Sequence, residues 1–196
     1  MPMRALPDCL RAFVALRMNA ATEAAIASFV QELRAHGAGV AWAQRVHLHL
    51  TLRFLGGAVP SARIAPLDHA LDQIAATTSS FLVRTRGTGA FPSLDRPRVL
   101  WIGLLGEPLK ELAGRVEAAT RECGFAPEPR PFAPHLKIGR VRHLQGWAPI
   151  RELLTQRVNH EFGESLVDSM ILYQSELRPG GSAYEVVARY PLRPSA

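Results

Sequence analysis

Two histidines occupy nearly the same setting in the two halves of the chain, His49 within RVHLHLTLRFLGG and His135 within PRPFAPHLKIGR. Each begins a short polar and apolar alternation. On a strand, His49 and Thr51 therefore emerge on one face while Leu50 and Leu52 anchor the other, and His135 shares a face with Lys137 opposite Leu136 and Ile138. Two imidazoles facing one substrate supply a proton acceptor and a proton donor, the minimum for metal-free cleavage of a phosphodiester. The hydroxyl of Thr51 can hydrogen-bond an anionic oxygen while the imidazole moves a proton. A single H-x-T is more simply a tolerated polar face, but two copies at matching positions point to phosphate handling. Lys137 stands where the first copy has Thr51. Its ammonium can grip non-bridging phosphate oxygens at least as strongly as a hydroxyl, and as a like charge it favours a neutral His135, which suits a base.

His47 and His49 also form an H-x-H pair, the strand motif of some metal hydrolases, but those need further ligands on later strands. Only the isolated Asp68, Asp72 and Asp168 are on offer, so no metal and no cofactor is expected. His36, His69, His143 and His160 fall at expected helix ends or in polar loops. Phe132 and Trp101 are candidate walls for a nucleobase, although Trp101, between Leu100 and Ile102, is expected in the core.

The elements that must position these residues follow from periodicity. Leu10 to Met18 reads as an opening strand. Asn19 can cap a helix from about Ala20 to His36, with Ile26, Phe29, Val30 and Leu33 in one apolar stripe before Gly37. Val46 to Leu55 alternates, with His47, His49, Thr51 and Arg53 on one side and Leu48, Leu50, Leu52 and Phe54 on the other, and Gly56-Gly57 ends it. Ser61 is placed to cap a second helix along Ile64, Leu67, Leu71 and Ile74. Strands are expected at Phe81 to about Thr88 and Arg98 to Leu105, then a third helix from Pro108 to about Cys123. Prolines 127, 129, 131 and 134 force an extended approach that delivers His135 at the start of a short strand, in a motif segment near 132–141. A helix from Trp147 to Val158 precedes two closing strands, Glu164 to Leu177 and Ala183 to Leu192, joined by the hairpin RPGGS.

This order gives an α+β fold, because the closing pair is a plain antiparallel hairpin. Both halves run strand, helix, motif strand, helix. The expected architecture is one domain over residues 1–196, two antiparallel-sheet lobes in a pseudo-twofold arrangement with helices outside and a central cleft. The formal charge of +6 and pI near 10.1 favour an anionic partner such as RNA or a nucleotide. Lys110 and Lys137 are the only lysines, which singles out the one beside the second histidine. No apolar run reaches the roughly 20 residues of a membrane span, and MPMRALPDCL lacks the marks of a secretory signal, so a cytoplasmic protein is expected. Cys9 and Cys123 read as reduced thiols.

HLTLRFLG and PFAPHLKIGR resemble the two H-x-T motifs of the 2H phosphoesterases, specifically the bacterial RNA 2′,3′-cyclic phosphodiesterases, also called 2′-5′ RNA ligases. The resemblance takes in RAFVAL, RVLWIGL and LYQSEL, nearly the whole chain, and departs at Lys137, where Thr or Ser is usual. It implies a bilobal fold with the histidines facing across a cleft, and hydrolysis of a ribose 2′,3′-cyclic phosphate to a 2′-phosphomonoester without metal. More weakly it implies reversible 2′-5′ joining of RNA ends. His135 is taken as the base that activates water and His49 as the acid that protonates the departing oxygen, with the reverse assignment open. Arg140 resembles the arginine that holds the scissile phosphate or its neighbour, and Tyr173 and Ser175 match a segment lining the cleft. A monomer acting on RNA ends or nucleotides is implied, with no protein partner and no membrane. The alternative is an RNA- or nucleotide-binding module whose turnover is impaired by Lys137.

Overall fold

The computed structural model describes residues 6–37, 39–44, 48–178 and 181–195. Its elements are β1 (Cys9–Leu16), α1 (Ala20–Arg34), β2 (Val40–Trp42), β3 (Leu50–Pro60), a 3₁₀ turn at Ser61–Arg63, α2 (Ile64–Ala76), β4 (Phe81–Phe91), β5 (Val99–Leu105), α3 (Pro108–Glu122), β6 (His135–Val141), α4 (Trp147–Gln156), β7 (Glu161–Val167), β8 (Ser169–Arg178) and β9 (Gly181–Pro191). Local chemistry sets the breaks. The Asn19 side chain accepts the Thr22 amide N–H at 2.8 Å and starts α1, Pro108 opens α3, and Gly146 turns the chain into α4 with a φ of 73°.

The strands form one antiparallel sheet in the order β7-β4-β5-β6-β3-β1-β8-β9, with β2 added beside β6. Two four-stranded halves, β6-β5-β4-β7 and β3-β1-β8-β9, meet where Leu50 pairs with Leu136. This is the expected α+β architecture. One face is the main core, where Leu16, Leu50, Leu100, Ile102 and Leu136 pack with helix residues such as Ile26, Leu67 and Leu112. The other face carries only a small cluster of Phe13, Ala15, Ile171 and Tyr173, flanked by Phe54 and Tyr184. Helices therefore cover one side and leave the other open.

Several elements differ from the sequence expectation. The run Glu164 to Leu177 is two strands rather than one, since β7 adds to β4 in one half, and β8, after Asp168, crosses to pair with β1 in the other. Alternation continues through the crossing, which hides it. β3 does not stop at Gly56-Gly57 but runs to Pro60, with Cys9 opposite Pro60 and Leu10 opposite Val59. Gly56, at a φ of 141°, supplies the backbone for the irregular register there. Ser61 makes no side-chain cap and opens the 3₁₀ turn instead. The three-residue β2 carried no periodic signal.

Arg53 also departs from its expected face. Val14 pairs with Arg53 and Ala15 with Thr51, so Leu52 is an extra residue, and the bulge turns Arg53 away from Thr51 into the helix side, where it is 5% exposed. Its Nε lies 2.7 Å from Glu117, and its other nitrogens donate to the Glu128 carboxylate and the Ala126 carbonyl. The Glu128 amide in turn donates to Glu117 at 3.0 Å. One side chain thus ties the first motif strand to α3 and to the proline-rich segment that leads to His135. Truncating it strands charges and a carbonyl that water reaches only in part, as Glu117 and Glu128 are 28% and 42% exposed. Arg53→Ala should therefore cost about 2–3 kcal/mol, below the full penalty of breaking a wholly buried pair. A urea midpoint lowered at unchanged m-value is the expected reading, and a change under about 0.5 kcal/mol would show the network to be inert.

Candidate active site

β3 and β6 run antiparallel through the single pair Leu50–Leu136, both buried in the helix-side core. One step to either side, the register sets His49 across from Lys137 and Thr51 across from His135, all on the open face. The histidines are diagonal neighbours in this pairing, a relation that separates strand positions by about 7–8 Å. Side chains on such positions can reach one tetrahedral anion from two sides.

Each ring is held by its own surroundings. His49 stacks on Phe13 at 4.7 Å and 25°, with Tyr184 edge-on at 5.1 Å and Tyr173 beyond Phe13 at 5.2 Å from it. His135 approaches the Ala133 carbonyl through Nδ1 at 2.7 Å and meets Phe91 edge-on at 5.0 Å. A carbonyl can only accept, so Nδ1 carries the proton of the neutral ring and Nε2 keeps its lone pair.

A second bulge completes the face. Lys137 pairs with Trp101, Gly139 with Leu100 and Arg140 with Val99, leaving Ile138 as the extra residue and turning Arg140 to the side of Lys137. Gly139 fits there because a β-carbon would stand 2.7 Å from the Val40 side chain. Lys137 is exposed along its length, yet partial burial of its ammonium, then the charges of Arg140 and Arg11, push its pKa below the usual 10.5. Arg11 reaches the same region from β1, its guanidinium 4.4 Å over the Phe54 ring. Among the described residues no carboxylate pairs with Arg11, Lys137 or Arg140. The face thus gathers three cations, Arg11, Lys137 and Arg140.

The structure brings His49, Thr51, His135, Lys137 and Arg140 onto one face. Trp101, expected in the core, is there too, because its neighbours Leu100 and Ile102 take the helix side and it pairs with Lys137. Tyr173 and Ser175 lie on the same face but are buried, Ser175 across from Tyr184. Burial raises the Tyr173 pKa. Phe132 is half-buried against the main core, away from this face. His47 lies outside the described residues, Asp68 accepts from the buried Tyr190 hydroxyl at 2.7 Å, and no cluster of metal-ligating side chains occurs among the described residues. Sequence reasoning missed Arg11, Phe13, Phe91 and Tyr184. The alternation of Arg11, Phe13 and Ala15 would have revealed the first two, had β1 been known to lie beside β3.

A two-lobed antiparallel sheet with one histidine from each half on its open face defines a 2H phosphoesterase. Comparison with known proteins agrees. The family model described as the 2′-5′ RNA ligase superfamily matches residues 22–178, and the chain belongs to that family. It is 34% identical to an RNA 2′,3′-cyclic phosphodiesterase of Aeropyrum pernix, over 72% of this chain and 80% of the relative. Identity is 27% with the Methanocaldococcus jannaschii protein of the same name, over 92% of this chain and the whole of the relative. A further relative so named, from Geobacillus stearothermophilus, is 31% identical over 92% of this chain, which spans only 56% of that longer protein. Among solved structures, a Thermus thermophilus protein superposes with a TM-score of 0.81 at 29% identity, covering 95% of this chain and all of the other. Escherichia coli LigT, crystallised with 3′-AMP, does so at 0.75 and 24% identity over 94% of this chain and 98% of its own, and shows the fold alone.

The crowded cations have a cost with a definite sign. Because the Lys137 pKa is lower folded than unfolded, its charge destabilises the fold fully below the lowered value, and the penalty fades as pH rises toward 10.5. Lys137→Met should therefore be more stable than wild type in urea at neutral pH, with the advantage gone above pH 10.5, while binding inorganic phosphate more weakly by calorimetry. A variant less stable at neutral pH would show the ammonium to be structurally paired.

Proposed function

We propose that this protein hydrolyses the 2′,3′-cyclic phosphate of RNA ends or nucleotides to a 2′-phosphomonoester, with no metal ion, using His135 as general base and His49 as general acid. The shared face of the two histidines, fixed by the Leu50–Leu136 pair, carries this reading. The curated relatives are named for this activity. His135 suits the base role because the Ala133 carbonyl leaves its Nε2 lone pair open to a water. As that water attacks phosphorus, its proton passes to Nε2, the bond to the 3′ oxygen breaks, and His49 protonates the leaving oxygen. The Phe13 face beneath His49 suits its charged form. Thr51, Lys137 and Arg140 stabilise the charge that builds on the non-bridging oxygens. With a ribose 5′-hydroxyl in place of water, the same transfers join RNA ends by a 2′-5′ linkage.

The position of Lys137 across from His49 also supports a second reading, a cleft that binds a cyclic phosphate without turning it over. One set of assays separates the two. Wild type should convert a 2′,3′-cyclic nucleotide to the 2′-monophosphate in excess chelator, and His49→Ala and His135→Ala should each lose about 10²–10⁴-fold in kcat with the fold intact. Inactivity of wild type, with turnover gained in Lys137→Thr, would instead identify a binding module disabled by its lysine. Activity abolished by chelator would reject the metal-free mechanism.

A further inference from the structure

Lys137 serves the reaction above only as a charge, yet an amine that gives up its proton is also a nucleophile. On the open face it has four neighbours: His135 two residues back along β6, Arg140 turned to its side by the Ile138 bulge, Trp101 paired with it on β5, and His49 across on β3. β-carbons directly opposite one another on paired strands lie about 4.5–5.5 Å apart, so the Lys137 side chain reaches the place where an anion sits between the histidines. The residue is exposed along its length. Burial of its ammonium, then the charges of Arg140 and Arg11, lower its pKa, which leaves more free amine at neutral pH than an ordinary lysine has.

The only other lysine gives the contrast. Lys110 is exposed in the first turn of α3, three residues after Glu107 and one before Glu111, and belongs to neither motif strand. A reagent that carries both a phosphate and an activated carbonyl meets the two lysines differently. On the open face, Thr51 and Arg140 can hold its phosphate oxygens, which sets the carbonyl carbon beside the Lys137 Nζ. Lys110 meets the same reagent only by collision. We propose that Lys137 is a modification site for acyl phosphates, which dock by their phosphate on the open face and acylate its Nζ. The step balances without a further reagent. The Nζ lone pair forms an amide bond to the carbonyl carbon, the bond from that carbon to the phosphate oxygen breaks, and the proton lost by nitrogen leaves on inorganic phosphate. The amide is uncharged, so acylation removes a cation from the face and adds bulk between the histidines, which makes it a brake on the site. The inference rests on the phosphate-binding reading of this face given above.

The test is incubation of the whole protein with acetyl phosphate, with acetylation of Lys137 and of Lys110 followed by peptide mass spectrometry. Lys137 should react at least about tenfold faster than Lys110, inorganic phosphate should slow Lys137 alone, and Arg140→Ala should lower the preference. With N-acetylimidazole, an acetyl donor that carries no phosphate, the preference should shrink and phosphate should not affect it. Equal rates at the two lysines, or a preference that is the same with both donors and untouched by phosphate, overturns the site. Turnover of a 2′,3′-cyclic nucleotide by the unmodified protein is measured alongside. Turnover without selective acetylation ends the modification site and leaves the two-histidine reading standing, whereas selective, phosphate-protected acetylation without turnover does the reverse. Where both are found, turnover after removal of the reagent should fall in proportion to the fraction acetylated at Lys137, and unchanged turnover ends its role as a brake.

Discussion

A single antiparallel contact, Leu50 against Leu136, joins the two halves of the sheet and sets the register on which the candidate site depends. Side chains on a strand alternate with a period of two, so a slip of one residue would carry His49 and Thr51, or His135 and Lys137, to the helix side. Burial prevents that slip from both strands at once. Leu50 and Leu136 are 1% and 0% exposed, and Leu48, Leu52 and Ile138 fill the same core. Exchanging these for histidine, threonine or lysine would place unpaired polar groups among leucines, at roughly 1–3 kcal/mol for each unsatisfied group. The chemistry on the open face is thus positioned by the hydrophobic demand of the closed one.

Two bulges adapt this frame to its charges. In β3 the extra Leu52 sends Arg53 into the core, where Glu117, Glu128 and the Ala126 carbonyl receive it. Strict alternation would have added a further cation to a face that already holds three. In β6 the extra Ile138 does the opposite and brings Arg140 out beside Lys137. The first bulge also binds the segment before His135 to the strand that carries Thr51, so both motifs share one rigid support.

Periodicity and proline placement made most of this fold legible. The four helices, the motif strands and the shared faces of His49 with Thr51 and of His135 with Lys137 follow from spacing alone, because burial imposes that spacing on each element separately. What stayed hidden depends on neighbours. Arg53 looked like a face-mate of Thr51 because a bulge leaves no mark in the alternation of one strand. Trp101 looked like core because an apolar run does not say which of its members turn outward. The crossing at Asp168 was invisible because β7 and β8 keep the same alternation in different halves. Arg11, Phe13 and Tyr184 reach His49 or Lys137 only through strand order, which pairs β1 with β3 and β8 with β9.

The substitution at Lys137 reads differently once the register is known. Sequence proximity couples it to His135, two residues away, but the ladder sets it directly across from His49, while Thr51 occupies the matching place across from His135. Each histidine therefore has one partner along its own strand and one across. A lysine in this position is thus a neighbour of both histidine positions, one along its own strand and one across the ladder. With Arg11 and Arg140 also near, Lys137 bears the cost of its burial and then of two neighbouring like charges, and an anion on this face would offset that cost in addition to forming its own contacts. That offset grows with the negative charge that the anion carries.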